Sequence, residues 1–315
     1  MVAIGLDVGG THIGGGLVSE SNELIATRSL PYPGSNTPEK SIDAMESLIH
    51  SLLTDAGLSI FDVCAIGAAV PGSIVYDTGV VLDAHNLGYH GFPLTELLRA
   101  RFPDTPVMIE NDANAAALAE YYCGVFRGHA SGLLITLGTG VGGGLIMHDK
   151  LFIGGRKSGF EFGHAYLQFG GEPCTCGNLG DIEAYCSATG LIRDGVRAVQ
   201  EHPDCMIAKR HALANEKLDA KLIIDCAKAG DEVARRLFDS YARHLGGAIV
   251  TAVDILDPEI VALGGGVSKA GKFLLEPVNA FVKEHSFFHT CADVVLSEMG
   301  NDAGVIGAAM LYRQR

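Results

Sequence analysis

Basic residues are scarce in this chain. Lys and Arg number 23 against 37 Asp and Glu, a net charge of −14 over 315 residues. A phosphate backbone or an anionic membrane surface would be repelled on average. Nucleic-acid binding would need a local basic patch, and the sequence contains no Lys/Arg cluster. Long apolar runs are missing too: none reaches the roughly 18 residues of a membrane span. The start, Met1 to Asp7, has neither the basic opening nor the long apolar region of a signal peptide. A cytoplasmic protein is therefore expected. No G-x-x-x-x-G-K-[ST] loop occurs, so the chemistry of P-loop enzymes is excluded. Of the eight cysteines, only Cys174 and Cys176 sit close together. That pattern opposes a disulfide framework and favours reduced thiols with a metal.

What the chain does have is apolar bulk and glycine. Hydrophobic residues make up 48% and charged residues 19% of the 315 positions. That suits a well-buried protein of about two domains. The glycines recur in one pattern. Leu134 to Leu137, the turn Gly138-Thr139-Gly140, and Val141 to Ile146 read as strand, turn and strand. A near copy opens the chain: Leu6 to Val8, Gly9-Gly10-Thr11, and His12 to Val18. Superposing Thr11 on Thr139 aligns Gly10 with Gly138, Ile13 with Val141, and Gly14-Gly15-Gly16 with Gly142-Gly143-Gly144. Two copies of one hairpin suggest two lobes built on one plan, with two backbone loops that could face each other across a ligand. Glycine lets backbone N–H groups approach a phosphate closely.

In chain order, strands are expected at 2–8 and 12–18, a loop at 31–38 and a helix at 39–56 closed by Gly57. A buried strand follows at 63–70, a hairpin-like unit at 73–82 and a helix at 93–101. The strand 106–110 breaks at Asn111-Asp112 into an Ala-rich helix running to about Cys123. Either side chain could cap that helix. An acid at the carboxyl end of a strand is also well placed as a general base.

Residues 138–143 match G-x-G-x-x-G, but a dinucleotide fold needs those glycines to open a helix. Here Gly144 to His148 continues as a strand, so a phosphate-holding hairpin is the better reading. Residues 154–183 are irregular. They hold His164, Cys174 and Cys176, with Asp181 or Cys186 available to complete a tetrahedral set suited to zinc. Helices are expected at 188–200, 220–229 and 231–255. A strand at 260–263 ends in Gly264-Gly265-Gly266, where a ligand could lie against backbone. After a final strand near 292–297, small residues at 303, 304, 307 and 308 line one helical face, a pattern of close helix packing.

Taken in order, Asp7-x-Gly9-x-Thr11, Glu110-Asn111-Asp112-Ala113-Asn114, Leu137 to Gly144, Glu161-x-Gly163-His164, Cys174-x-Cys176-Gly177-x-x-Gly180 and Gly264-Gly265-Gly266 resemble the ROK family of sugar kinases and repressors. The similarity runs from the first strand to the last helix and leans to the bacterial glucokinase branch. The resemblance implies an α/β, two-lobed actin/hexokinase-like (ribonuclease H-like) duplicated fold with a cleft between lobes. Residues 1–115 plus 301–315 would form the small lobe, and 116–300 the large lobe. It implies an ATP-dependent hexose kinase, with Asp112 as general base and Asn111, Asp112, Glu161, His164 and Glu183 on the sugar. Gly9, Gly10, Thr11, Gly138, Thr139 and Gly140 would hold the ATP phosphates. Asp7 would sit near Mg²⁺, and Gly265 and Gly266 would border the nucleoside. A structural Zn²⁺ would be held by His164, Cys174, Cys176 and Asp181. Here Asp181 replaces the family's third cysteine, which weakens the expected affinity. Other sugars of the family (N-acetylglucosamine, N-acetylmannosamine, mannose, fructose, allose) stay open as substrates. A repressor of this family would carry a helix-turn-helix before the first strand, which here starts at residue 2. A homodimer or homotetramer is expected from the resemblance alone.

Overall fold

A computed structural model describes residues 1–157, 159–213, 216–288 and 290–314. The chain divides into two compact units. The first comprises Met1–Gly132, Gly144–Phe160 and Glu298–Arg315; the second comprises Leu133–Gly143 and Glu161–Ser297. The Asp112–Cys123 helix lies whole within the first unit.

The strands are β1 (Val2–Val8), β2 (His12–Ser19), β3 (Leu24–Pro31), β4 (Val63–Val70), β5 (Ser73–Val75), β6 (Val80–Ala84), β7 (Tyr89–Phe92), β8 (Val107–Asn111), β9 (Gly132–Leu137), β10 (Val141–Met147), β11 (Lys150–Leu151), β12 (Ile260–Gly264) and β13 (Asp293–Leu296). One five-stranded sheet has the order β3-β2-β1-β4-β8, and the other β11-β10-β9-β12-β13. The two orders are the same: a three-strand meander, then two later strands added beside its first member. The hairpin repeat read from Thr11 and Thr139 therefore marks a structural duplication. In the first sheet β1 and β2 are antiparallel, while β4 and β8 run parallel to β1.

The first unit covers one face of its sheet with the Lys40–Ala56 helix. That helix presents Met45, Leu48, Ile49 and Leu52 at 3–4 spacing, all fully buried with Ile4, Leu6, Ile13 and Leu17. Each such side chain contributes about 1.5–3 kcal/mol by leaving water. Gly57 closes the helix in the left-handed conformation (φ 66°), as the sequence predicts. The other face takes the short Ala303–Met310 helix. A Cβ on Gly307 would stand 1.6 Å from the Ala115 carbonyl oxygen, and Ala69, Ala115 and Ala308 form one buried cluster. The small-residue face is thus a packing face. In the second unit the long Glu232–Leu256 helix buries Phe238, Leu245 and Ile249.

Several elements escape the sequence reading: β3, the third strand of the β5-β6-β7 sheet, and the helices Met206–Leu213 and Lys272–His285. Among the described residues no helix is long and apolar enough to cross a membrane.

Candidate functional site

The first unit carries the strand-end acid. β8 ends at Asn111, whose extended backbone (φ −62°, ψ 145°) makes it the N-cap of the Asp112–Cys123 helix. Asn111 Oδ1 accepts the N–H of Ala113 at 2.9 Å and of Asn114 at 3.4 Å. Its Nδ2 donates to the Gly72 carbonyl at 3.3 Å. Asn111 therefore performs the capping role, and Asp112 takes the first helical position with its side chain exposed. Asp112 Oδ1 accepts the Ala113 N–H at 2.8 Å. A helix N-terminus favours a negative charge there.

Glu110 received no role from the sequence, and the structure supplies one. It is 4% exposed, the one acid in the run Val107-Met108-Ile109-Glu110. Its Oε1 accepts the Asn111 N–H at 2.8 Å, Asn114 Nδ2 at 3.0 Å, and the Tyr76 hydroxyl. Burial pushes its carboxyl above the ordinary value. Glu110 thereby fixes the corner from which Asn111 and Asp112 project. An acid inside an otherwise apolar strand was the available signal.

Asp7 lies on β1, opposite Gly14 on β2 and Ala69 on β4. Its carboxyl packs against Gly304, and burial raises its pKa. The Gly9-Gly10-Thr11 turn is closed by Gly9 N–H donating to the His12 carbonyl at 2.9 Å. Gly10 and Thr11 are exposed. Asn86 is the neighbour of this turn, 3.0 Å from where a Gly10 Cβ would stand.

The second unit carries the other hairpin. Gly138 N–H donates to the Gly140 carbonyl at 3.0 Å, and Thr139 at the tip is exposed. The Ala188–Glu201 helix anchors the tip: Ala188 N–H donates to the Gly138 carbonyl at 2.8 Å, and Thr189 Oγ1 to the Thr139 carbonyl at 2.7 Å. Glu183 Oε2 accepts the Val141 N–H at 3.0 Å, while Oε1 accepts the Thr175 hydroxyl at 2.6 Å. Gly265 adopts φ 83° against the Leu137 backbone and opens the Gly265–Ser268 helix with Gly266 exposed. That conformation is strained for any residue with a Cβ. Glu161 is exposed and precedes the Phe162–His164 turn, in which the His164 N–H donates to the Glu161 carbonyl at 3.2 Å.

The metal-type residues converge. Ligand atoms of His164, Cys174, Cys176 and Asp181 all lie within 4.8 Å of one another. Cys176 Sγ is 3.0 Å and His164 Nδ1 3.3 Å from Asp181 Oδ2. Cys174 Sγ is 3.8 Å from His164 Nδ1. Asp181 is fully buried, and its Oδ1 has no hydrogen-bond partner. An orphaned carboxylate oxygen beside two thiols and an imidazole fits a tetrahedral cation. Burial pushes Asp181 up, but hydrogen bonds from Cys176, Cys174, His164 and Asn178 outweigh it and hold the carboxyl below its ordinary value. Burial pushes the Cys174 thiol up to about 12, so binding a cation would displace its proton. Cys186, the alternative fourth ligand, is buried in the Ile182–Cys186 helix and stands outside this group.

A duplicated five-stranded sheet order with a glycine hairpin at the head of each copy defines an actin/hexokinase-type sugar-kinase fold. The chain belongs to the ROK family, whose pattern it matches over residues 3–315. It is 35% identical to a glucokinase of Halalkalibacterium halodurans, over 99% of this chain and 95% of that protein. It is 32% identical to an Escherichia coli N-acetylmannosamine kinase, over 99% and 98% of the two chains. The crystal structure of a ROK glucokinase from Streptomyces griseus in complex with glucose and AMPPNP superposes with a TM-score of 0.83, at 33% identity and full coverage of both chains.

Proposed function

We propose that the protein is an ATP-dependent hexose kinase of the glucokinase type, transferring the γ-phosphoryl group of ATP to the 6-hydroxyl of glucose. The observation that carries this reading is the full-length similarity to glucokinases, including one bound to glucose and an ATP analogue. The exposed acid held at a capped strand end supports it.

A sugar hydroxyl is a weak nucleophile at neutral pH. Asp112 accepts its proton as the O6–phosphorus bond forms and the bond from the γ-phosphorus to the bridging oxygen breaks, releasing ADP. A positioned base contributes about 10²–10⁴ in rate. The remaining demand is alignment and charge neutralisation. Gly9, Gly10, Thr11, Gly138, Thr139 and Gly140 hold the phosphates through backbone N–H groups and two hydroxyls. Asp7 would hold Mg²⁺, which would neutralise phosphate charge, and Gly265 and Gly266 would border the nucleoside. Asn111, Glu161, His164 and Glu183 bind sugar hydroxyls, so a sugar lacking one leaves a polar group unpaired. His164, Cys174, Cys176 and Asp181 are the residues that would hold Zn²⁺, whose contribution is to fix the loop that orients His164. Residues 1–115 plus 301–315 and 116–300 are proposed as the functional lobes, and the protein as a homo-oligomer.

The test is an ATP-dependent phosphorylation assay over a panel of hexoses, with product position read by NMR. Glucose 6-phosphate as the preferred product supports the reading. A strong preference for N-acetylmannosamine, the second reading raised by the 32% identical relative, would overturn the choice of sugar but not the kinase chemistry.

A further inference from the structure

A second group of metal-type side chains lies on the small sheet β5-β6-β7, and the kinase reading does not use it. Asp83 on β6 and His90 on β7 are directly opposite each other in the antiparallel register. His85 follows two residues after Asp83, in the His85–Leu87 turn that joins the strands. Ligand atoms of the three lie within 4.8 Å of one another. Asp83 Oδ2 is 3.1 Å from His85 Nε2, and Asp83 Oδ1 is 3.0 Å from His90 Nδ1. The imidazole rings meet edge to face with centroids 5.5 Å apart.

An exposed His–Asp pair would ordinarily mean little, since such pairs contribute about 0–1 kcal/mol. Two features set this group apart. Ligands around a tetrahedral Zn²⁺ at bond lengths near 2.0–2.1 Å stand about 3.3 Å from one another, close to the separations here. Asp83 Oδ1 is also shielded from water and has no hydrogen bond of acceptable geometry, although the His90 nitrogen stands beside it. A carboxylate oxygen and an imidazole nitrogen that touch without hydrogen bonding are arranged as co-ligands of a third atom.

We propose that Asp83, His85 and His90 form a second metal site, separate from the cysteine loop, that takes a borderline divalent cation such as Zn²⁺. Two imidazole nitrogens and one carboxylate oxygen suit that class of ion, and the missing fourth ligand leaves a position for water. His85 and His90 are exposed and Asp83 is half-buried, so the ion exchanges with solvent and does not hold the fold together. The site lies one residue from two parts of the first unit already described. The Asp83 carbonyl packs on Gly72, whose own carbonyl accepts from Asn111 Nδ2. Asn86, next to His85, packs on Gly10. An ion here ties the ribbon that supports both the Asn111 corner and the first glycine turn.

The experiment is a Zn²⁺ titration of chelator-stripped full-length protein by calorimetry, repeated with Co²⁺ followed by absorption. Cobalt on the cysteine loop shows a sulfur-to-metal charge-transfer band in the near ultraviolet. Cobalt on Asp83, His85 and His90 adds visible absorbance without that band. The comparison is wild type against H85A/H90A, an exposed pair whose removal leaves the core intact, and against D83N. The expected result is one equivalent lost in H85A/H90A with the sulfur band unchanged, and at least about tenfold weaker binding in D83N. Unchanged stoichiometry in H85A/H90A, or loss confined to the sulfur-bound equivalent, would overturn the proposal. The readout is independent of kinase activity, so it stands or falls apart from the functional reading.

Discussion

Glu183 Oε2 receives the backbone N–H of Val141 at 3.0 Å, while its Oε1 receives the hydroxyl of Thr175 between the two loop cysteines at 2.6 Å. One carboxylate thus joins the second glycine hairpin to the metal-type loop within the same unit. On this basis Glu183→Ala should disturb the nucleotide as well as the sugar. A hydrogen bond to a charged acceptor contributes about 1.5–3 kcal/mol, and the half-buried setting favours the lower figure. The expected rise in KM for ATP is about tenfold, alongside a rise in KM for sugar. Steady-state kinetics with both substrates varied separate the cases. A rise confined to the sugar would remove the linkage.

Asp112→Asn keeps an acceptor for the Ala113 N–H and leaves the Asn111 cap untouched. Turnover should fall by at least about 10²-fold, the lower end of the contribution of a general base. Sugar affinity measured by calorimetry should stay near wild type. Retained turnover would remove Asp112 from the role.

Asp181→Cys restores the soft third sulfur at the metal-type loop. Thiolate suits zinc better than carboxylate, so zinc content after dialysis against a weak chelator should rise. Asp181→Ala should lower it and raise KM for sugar through a less firmly held His164. Metal analysis of the three proteins decides the matter, and D181C holding no more zinc than wild type counts against Asp181 as a ligand.

Asp7 offers a test in the opposite direction, where loss of function accompanies a gain in stability. Burial raises its carboxyl pKa in the fold above that of the unfolded chain. The native state then binds the proton more tightly, so this group adds stability as pH falls through the folded pKa toward the unfolded value. At neutral pH the ionised form is penalised. Asp7→Asn should raise Tm at pH 7, flatten that part of the pH dependence, and abolish Mg²⁺-dependent turnover. Thermal unfolding at pH 7 and pH 5 checks it; a lower Tm at pH 7 for D7N contradicts the argument.

The legible parts of the chain were those with local periodicity. The Lys40–Ala56 helix and its Gly57 cap follow from spacing alone, and the two hairpins follow from one alignment. β3 was missed because Leu24–Pro31 alternates half-exposed residues along a sheet edge and shows no apolar run. The Lys272–His285 helix was missed because Pro277 lies inside it, where proline usually marks a break. The grouping of His164, Cys174 and Cys176 could be read from donor type and spacing, which left Asp181 and Cys186 both open as the fourth member. The family resemblance pointed to Asp181, and Asp181 is the one that converges with them. The contact of Glu183 with Val141 could not be read in this way, because it joins residues 42 positions apart through space. Glu110 looked like strand interior, and only its three donors reveal what it supports.

The matching strand orders of the two sheets make the molecule its own control. In the alignment Gly140 of one hairpin corresponds to His12 of the other, and the turns close differently: Gly9 N–H donates to the His12 carbonyl in the first, Gly138 N–H to the Gly140 carbonyl in the second. Differences in what the two loops do then trace to the residues at these positions, to the turn closure they allow, and to neighbours like Glu183. Exchanging single residues between the copies would separate what the shared scaffold confers from what each half acquired by itself.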